Sequence, residues 1–235
     1  MSARPIVLLD LDNTILDFTY AERRALSRTL RELGLPNEDA ILRLYHEINR
    51  EHWAMLERGE ITRERLLVAR YEALFAACGL RADAQEAQRR YEGHLSEGHW
   101  FLPGAEALLE RLQAGCRLFL CSNGNASVQA ARIASADLAK CFEALFISES
   151  LGADKPSPLY FERCFARIPD FRREDAIILG DSLSSDVLGG RNAGIASCWF
   201  NPDREENRSG IVPDHEIHAL EEFPPLLNAL FGTTL

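Results

Sequence analysis

No two cysteines in this sequence form a CxxC pair, and none stands beside histidine at the spacing of a zinc site. The six present, at 78, 116, 121, 141, 164 and 198, are scattered. Cys116, Cys121 and Cys198 lie within apolar runs, where a free thiol acts as a small hydrophobe, so reduced core thiols of a cytosolic protein are expected. Positive charge is also short: Lys and Arg number 26 against 36 Asp and Glu, a net charge of −10. That balance argues against a partner such as duplex DNA or RNA, which calls for a basic face. An anionic substrate would have to be met by positive charge focused locally. Long apolar runs are missing as well. The opening Met-Ser-Ala-Arg-Pro leads into one far too short for an export or membrane segment. A cytoplasmic chain with no membrane partner is expected, as a monomer or homodimer. There is no internal repeat, no low-complexity stretch and no composition of a disordered chain.

What is present is an alternation. Short, continuous apolar runs at 6–10, 116–121, 144–148, 176–180 and 195–200 have the pattern of strands buried on both faces. Helical patterns at 105–114, 127–136, 157–168 and 184–193 separate them. This order predicts an α/β fold with a doubly wound parallel sheet. One interval breaks the rhythm. From 18 to 99 there is no good strand, only helical patterns at 21–33, 37–58, 62–78 and 82–96, punctuated by Gly34-Leu35-Pro36, Gly59 and Gly79-Leu80. The expected organisation is an α/β core from 1–17 and 100–235 with an all-helical cap, 18–99, inserted after the first strand. The hinges fall near 17–19 and 97–102.

The first strand runs into Asp10-Leu11-Asp12-Asn13-Thr14. Two carboxylates two residues apart at a strand end disfavour each other's ionised form, so something positive must hold them. An oxygen-only pair points to Mg²⁺. Three further polar clusters follow later strands: Ser122-Asn123-Gly124, Lys155-Pro156, and Gly180-Asp181 with Asp186 five residues on from Asp181. The carboxyl edge of such a sheet is one surface, so the four can converge. Their residue types suit phosphoryl transfer through a covalent aspartyl intermediate. Asp10 would be the nucleophile, and Asp12 would protonate the leaving oxygen and then activate water. Ser122, by its hydroxyl, and the amides of Asn123 and Gly124 would bind phosphate. Lys155 would neutralise the phosphoryl group and Asp10. The metal set would be Asp10, Asp12 through its main-chain carbonyl, Asp181 and Asp186, the last directly or from behind. A first-turn helix acid is the plainer role for Asp186, and a turn or capping hydroxyl for Thr14.

The set Asp10-x-Asp12-x-Thr14, Ser122-Asn123-Gly124, Lys155-Pro156 and Gly180-Asp181-x4-Asp186 resembles the four motifs of the haloacid dehalogenase superfamily, in that superfamily's order. The helical insert resembles its C1-type cap. The runs at 147–156 and 186–201 are similar to those of its pyrimidine 5′-nucleotidases. The resemblance implies a Mg²⁺-dependent hydrolase of a small phosphomonoester, foremost a nucleoside 5′-monophosphate. A phosphatase or phosphomutase of phosphoglycolate or a sugar phosphate stays open. Dehalogenation of a 2-haloacid is disfavoured, because those enzymes lack the second acid present here as Asp12. A signalling receiver domain is disfavoured by the chain length and the insert. Trp53 could stack on a base and Arg63 could reach a phosphate or base carbonyl, although an aromatic at helical spacing is more often core.

Overall fold

The computed structural model describes residues 4–235. The chain divides into two compact units: one combines the segment ending at Asp17 with Trp100–Leu235, and the other is Phe18–His99. The first unit is a six-stranded parallel sheet. Its strands are β1 (Ile6–Leu9), β2 (Arg117–Ser122), β3 (Ala144–Ile147), β4 (Ala176–Gly180), β5 (Ala196–Phe200) and β6 (His215–Ile217), in spatial order β3-β2-β1-β4-β5-β6. The chain builds outward from β1 through β2 to β3, then crosses back to lay β4 on the other side of β1. Ligands bind at such a reversal, at the carboxyl ends of the strands.

Side-chain alternation splits the core into two layers. Val7 and Leu9 join Leu118, Leu120, Ile177 and Leu179 on one face of the sheet. Covering that face are α5 (Ala105–Gly115), α6 (Ala126–Ser135) and α10 (Phe223–Phe231), through Leu108, Leu109, Ile133, Phe223 and Leu227. Ile6 and Leu8 join Phe119, Cys121 and Ile178 on the other face, under α8 (Pro158–Phe165) with Tyr160, Phe161 and Cys164. Each large side chain so buried contributes roughly 1.5–3 kcal/mol relative to exposure. This two-sided burial explains why β1 and β4 read as unbroken apolar runs. β3 departs from that expectation. It is an edge strand, and Leu145 is 38% exposed. All six cysteines are unpaired thiols, and Cys116, Cys121, Cys164 and Cys198 are buried. No helix among the described residues is long and apolar enough to cross a membrane.

Four elements differ from the sequence reading. The strand β6 has only three residues, His-Glu-Ile, too few to carry a pattern. The short α7 (Ser148–Leu151) follows directly on β3, and α10 begins at Phe223 with two prolines in its first turn. The stretch expected as one helix at 184–193 is a wide π-helical turn, Leu183–Val187, running into α9 (Leu188–Ala193). Such turns accommodate an extra residue and recur at functional sites. Here the turn carries Asp186 inward.

The second unit consists of α1 (Phe18–Glu32), α2 (Asp39–Glu57), α3 (Arg63–Cys78) and α4 (Ala84–Leu95). Thr62 and Asp83 cap α3 and α4 by accepting from backbone N–H groups of the first turn. The four-helix core is partly polar. Arg70 is buried with its guanidinium over the rings of Tyr45, Tyr71 and Tyr91, at 5.9, 5.3 and 5.1 Å. It donates to Asn49 Oδ1 and Gln88 Oε1 at 2.7 and 2.8 Å, and Asn49 in turn donates to Glu22 at 2.6 Å. Desolvation of Arg70 is thereby offset by hydrogen bonds and ring faces rather than by a carboxylate in direct contact.

Candidate active site

The register of the central strands aligns the site. Leu9 pairs with Leu120 and with Leu179, so the residues that follow β1, β2 and β4 emerge level at the carboxyl edge. Asp10 is still tied to the sheet by its N–H, which donates to Leu179 O at 2.9 Å. The chain then turns sharply. Asn13 adopts φ 57°, a left-handed conformation that asparagine tolerates better than most residues, and its N–H donates to Leu16 O at 2.8 Å. This turn sends Asp10 and Asp12 to different partners.

Lys155 is the hub of the first group. It is 1% exposed, so it is not a surface lysine. Its Nζ donates to Asp10 Oδ1 at 2.6 Å, to Asp186 Oδ1 at 2.6 Å and to Cys121 O at 2.9 Å, which uses all three ammonium hydrogens. The lysine is itself clasped by Asn123. Asn123 Nδ2 donates to Lys155 O and Lys155 N donates to Asn123 Oδ1, both at 2.8 Å. The Asn123 side chain was not assigned a part by sequence reading, which considered only its main-chain amide for phosphate. Asp186 is buried and receives Ser182 N on Oδ2 at 3.1 Å. A Cβ at Gly180 would lie 2.2 Å from the Asp186 carboxyl, so only glycine leaves room there.

Asp10, Asp181 and Asp186 each offer a carboxylate oxygen within 4.8 Å of the others. Three carboxylates against the one Lys155 ammonium leave a formal charge of minus two, which a single divalent cation cancels. The donors are all oxygens, as Mg²⁺ requires. The donor set therefore fits Mg²⁺. The electrostatics express the same excess. Burial pushes the Asp10 carboxyl up to about 7; Lys155 opposes this, while Asp186 and Asp12 add to it. Asp181 lies well above the ordinary carboxylate range, through desolvation and then the charges of Asp10 and Asp186. For Lys155, burial works against the charge, but Asp10 and Asp186 outweigh it and hold the ammonium above its ordinary value.

Asp181 is positioned through its peptide. Its N–H donates to Thr14 Oγ1 at 3.1 Å, and its carbonyl accepts from Trp199 Nε1 at 2.8 Å. Thr14 is fully buried, so its hydroxyl braces an acid rather than facing solvent. Trp199 was not singled out by sequence reading. It sits on β5 inside an apolar run, where a tryptophan reads as core.

Asp12 belongs to a separate group. Gln129 Nε2 donates to its Oδ2 at 2.6 Å, and Arg132 Nη1 donates to its Oδ1. Ser122, the last residue of β2, accepts from Gln129 Nε2 at 2.8 Å and from Gly124 N at 3.2 Å. Gln129 and Arg132 are 2% and 1% exposed on α6, where a spacing of three residues sets them on one face. Neither was foreseen. The i, i+3 spacing after Ser122-Asn123-Gly124 was the available signal, hidden by reading 127–136 only as a helix.

The two candidate substrate residues lie in the helical unit, where the Arg63 guanidinium stands 5.3 Å from the centre of the Trp53 ring. They are therefore partners of each other rather than two separate contacts. Nearby Arg58 is engaged by Glu51 and Glu60 on the surface.

A family model described as haloacid dehalogenase-like hydrolase matches residues 5–194. The chain is 35% identical over 217 residues to the pyrimidine 5′-nucleotidase PynA of Streptococcus pneumoniae, covering 92% of each. It is 28% identical over 221 residues to the pyrimidine 5′-nucleotidase YjjG of Escherichia coli, covering 94% of this chain and 96% of that protein. A crystal structure of the HAD-hydrolase YfnB from Bacillus subtilis, bound to magnesium, superposes with a TM-score of 0.91 at 37% identity. It covers 96% of this chain and 99% of that one.

Proposed function

The chain belongs to the haloacid dehalogenase-like hydrolase family, and on that premise we propose that it is a Mg²⁺-dependent phosphomonoesterase that acts on nucleoside 5′-monophosphates through an aspartyl phosphate on Asp10. One observation carries the reading: the two acids after β1 have separate surroundings. Asp10 shares Lys155 with Asp186, whereas Asp12 is held by Gln129 and Arg132. That separation suits one acid for attack and the other for proton transfer.

In the first half-reaction a carboxylate oxygen of Asp10 bonds to phosphorus as the bond from phosphorus to the ester oxygen breaks. Asp12 gives its proton to that oxygen, and the alcohol leaves. In the second, water adds to phosphorus while Asp12 takes one of its protons. The bond from phosphorus to Asp10 then breaks, inorganic phosphate departs, and both acids are restored. Lys155 balances negative charge at Asp10 throughout. Asp10, Asp181 and Asp186, with the Asp12 carbonyl, would hold Mg²⁺, whose charge, when bound, offsets the repulsion between phosphate and carboxylate. The substrate class is supported by the relatives named pyrimidine 5′-nucleotidases and by an aromatic ring, Trp53, paired with Arg63. A cytoplasmic location is part of the reading, supported by six unpaired thiols.

Purified protein assayed on UMP, dUMP, dTMP, AMP, phosphoglycolate and hexose phosphates should favour a nucleotide by kcat/KM and should stop in EDTA. Asp10→Asn should fold and be inactive. A preference for phosphoglycolate or a sugar phosphate removes the substrate class and spares the chemistry. Hydrolysis of p-nitrophenyl phosphate without metal removes the chemistry itself.

A further inference from the structure

We propose that Gln129 and Arg132 are positioning residues that fix the proton donor Asp12 and aim the phosphate-binding hydroxyl of Ser122 as one unit. The inference rests on the reading of Asp12 as the acid of the first half-reaction.

The hydrogen bonds leave little freedom. Arg132 has only donors, so the Gln129 atom that faces it at 2.9 Å must be the carbonyl oxygen Oε1. The Gln129 amide is thereby oriented, and its Nε2 carries two hydrogens. One goes to Asp12 Oδ2 at 2.6 Å and the other to Ser122 Oγ at 2.8 Å. Arg132 Nη1 takes Asp12 Oδ1, so each oxygen of Asp12 accepts one N–H, one of them from a charged donor, and each keeps a second lone pair where the proton that Asp12 gives can sit. Ser122 Oγ receives a second N–H, from Gly124 at 3.2 Å. With both lone pairs occupied, the Ser122 hydroxyl can only donate, which is the polarity a phosphate oxygen needs.

Gly124 belongs to the same construction. A Cβ there would lie 2.4 Å from Gln129 Nε2 and 2.5 Å from its Cγ, so the glycine lets Gln129 lie against the loop. Both long side chains are at least 98% buried, whereas the Asp12 side chain keeps 25% of its surface exposed. The supports are thus enclosed, and the acid they hold remains open to solvent.

The test uses leaving-group dependence, which a purely structural role would not change. kcat/KM reports only the steps up to departure of the leaving group. An alkyl oxygen needs a proton at that point, whereas p-nitrophenolate does not. Arg132→Met and Gln129→Met should lower kcat/KM for the enzyme's best alkyl phosphomonoester by about 100-fold, the low end of what a general acid supplies, and for p-nitrophenyl phosphate by less than about tenfold. Gln129→Met should also weaken inhibition by inorganic phosphate several-fold, because Ser122 is no longer committed to donate. Arg132→Lys, which keeps the charge if Arg132→Met does not fold, should recover part of the alkyl rate. Equal losses on both substrates, or none, overturn the proposal. Asp12→Asn run alongside separates the two levels. If it shows the leaving-group contrast and the other variants do not, only the positioning role falls. If it shows none, the acid role of Asp12 falls and the positioning role with it.

Discussion

Asn123 clasps the main chain of Lys155 with both ends of its amide, donating to the lysine carbonyl and accepting from the lysine N–H at 2.8 Å each. The residue after β2 thereby fixes the backbone that carries the buried ammonium into the site from a loop 32 residues away.

Loss of this clasp should be felt through Lys155. Asn123→Ala removes two hydrogen bonds to partly buried backbone, a cost of about 1–3 kcal/mol in stability by denaturant unfolding. Asn123→Asp keeps the acceptor but sets an oxygen against the Lys155 carbonyl, so it should lower kcat/KM at least as much as alanine does. Wild-type activity in Asn123→Asp would show that the clasp does not control the lysine.

Lys155→Met should be more severe. It strips the cation from two buried carboxylates, Asp10 and Asp186, and leaving a buried charge unpaired costs about 3–5 kcal/mol. Turnover should be abolished. The stability deficit should be largest at pH 8 and shrink toward pH 5, because protonation of Asp10, whose carboxyl burial pushes up to about 7, relieves the repulsion once the lysine is gone. A deficit independent of pH would mean that the cluster is not what Lys155 stabilises.

The metal-free protein should lose stability as pH rises. Asp10 is held near 7 in the folded chain against an ordinary value of 3.8. Between these values the folded state keeps a proton that the unfolded state has released. Stability therefore falls as pH climbs through that interval, and the full penalty applies above about 7. Asp181 is shifted in the same direction. Mg²⁺ must displace those protons, so the rise in Tm on adding Mg²⁺ should be larger at pH 8 than at pH 5. A rise that is equal at both, or larger at pH 5, would sink the assignment of these acids to the metal.

Gly180→Ala tests the space around Asp186. The added methyl would stand 2.2 Å from the Asp186 carboxyl. Overpacking of this kind costs about 1–3 kcal/mol, and here it must also displace Asp186 from Lys155. Mg²⁺ affinity by calorimetry should fall together with Tm. Unchanged affinity in a destabilised variant would place Asp186 outside metal binding.

The sheet was legible because four of its strands are buried on both faces and so appear as unbroken apolar runs. β6 was not, since three residues at an edge need little apolar character. The acids Asp10, Asp12, Asp181 and Asp186 stood out because carboxylates beside apolar strands are costly unless used. Their supports were hidden for the opposite reason. Gln129 and Arg132 look like ordinary polar residues of an amphipathic helix, and Trp199 looks like core. What distinguishes them is burial and a partner far away in sequence: Asp12 lies 117 and 120 positions from the first two. Local patterning carries no trace of such pairings. The sequence reading uses only the Asn123 backbone, while its side chain holds the Lys155 main chain.

The bracing of Asp181 by Thr14 on one side and Trp199 on the other has a consequence for how the protein matures. Thr14 comes from the first loop and Trp199 from the fifth strand, so the peptide between them is secured only after β5 has docked. A chain in which β5 has not yet docked contains all four acids but lacks the bracing of Asp181 that the proposed cation site would use. On the proposed reading of these acids as Mg²⁺ ligands, metal binding would therefore come late in assembly, after most of the sheet is in place.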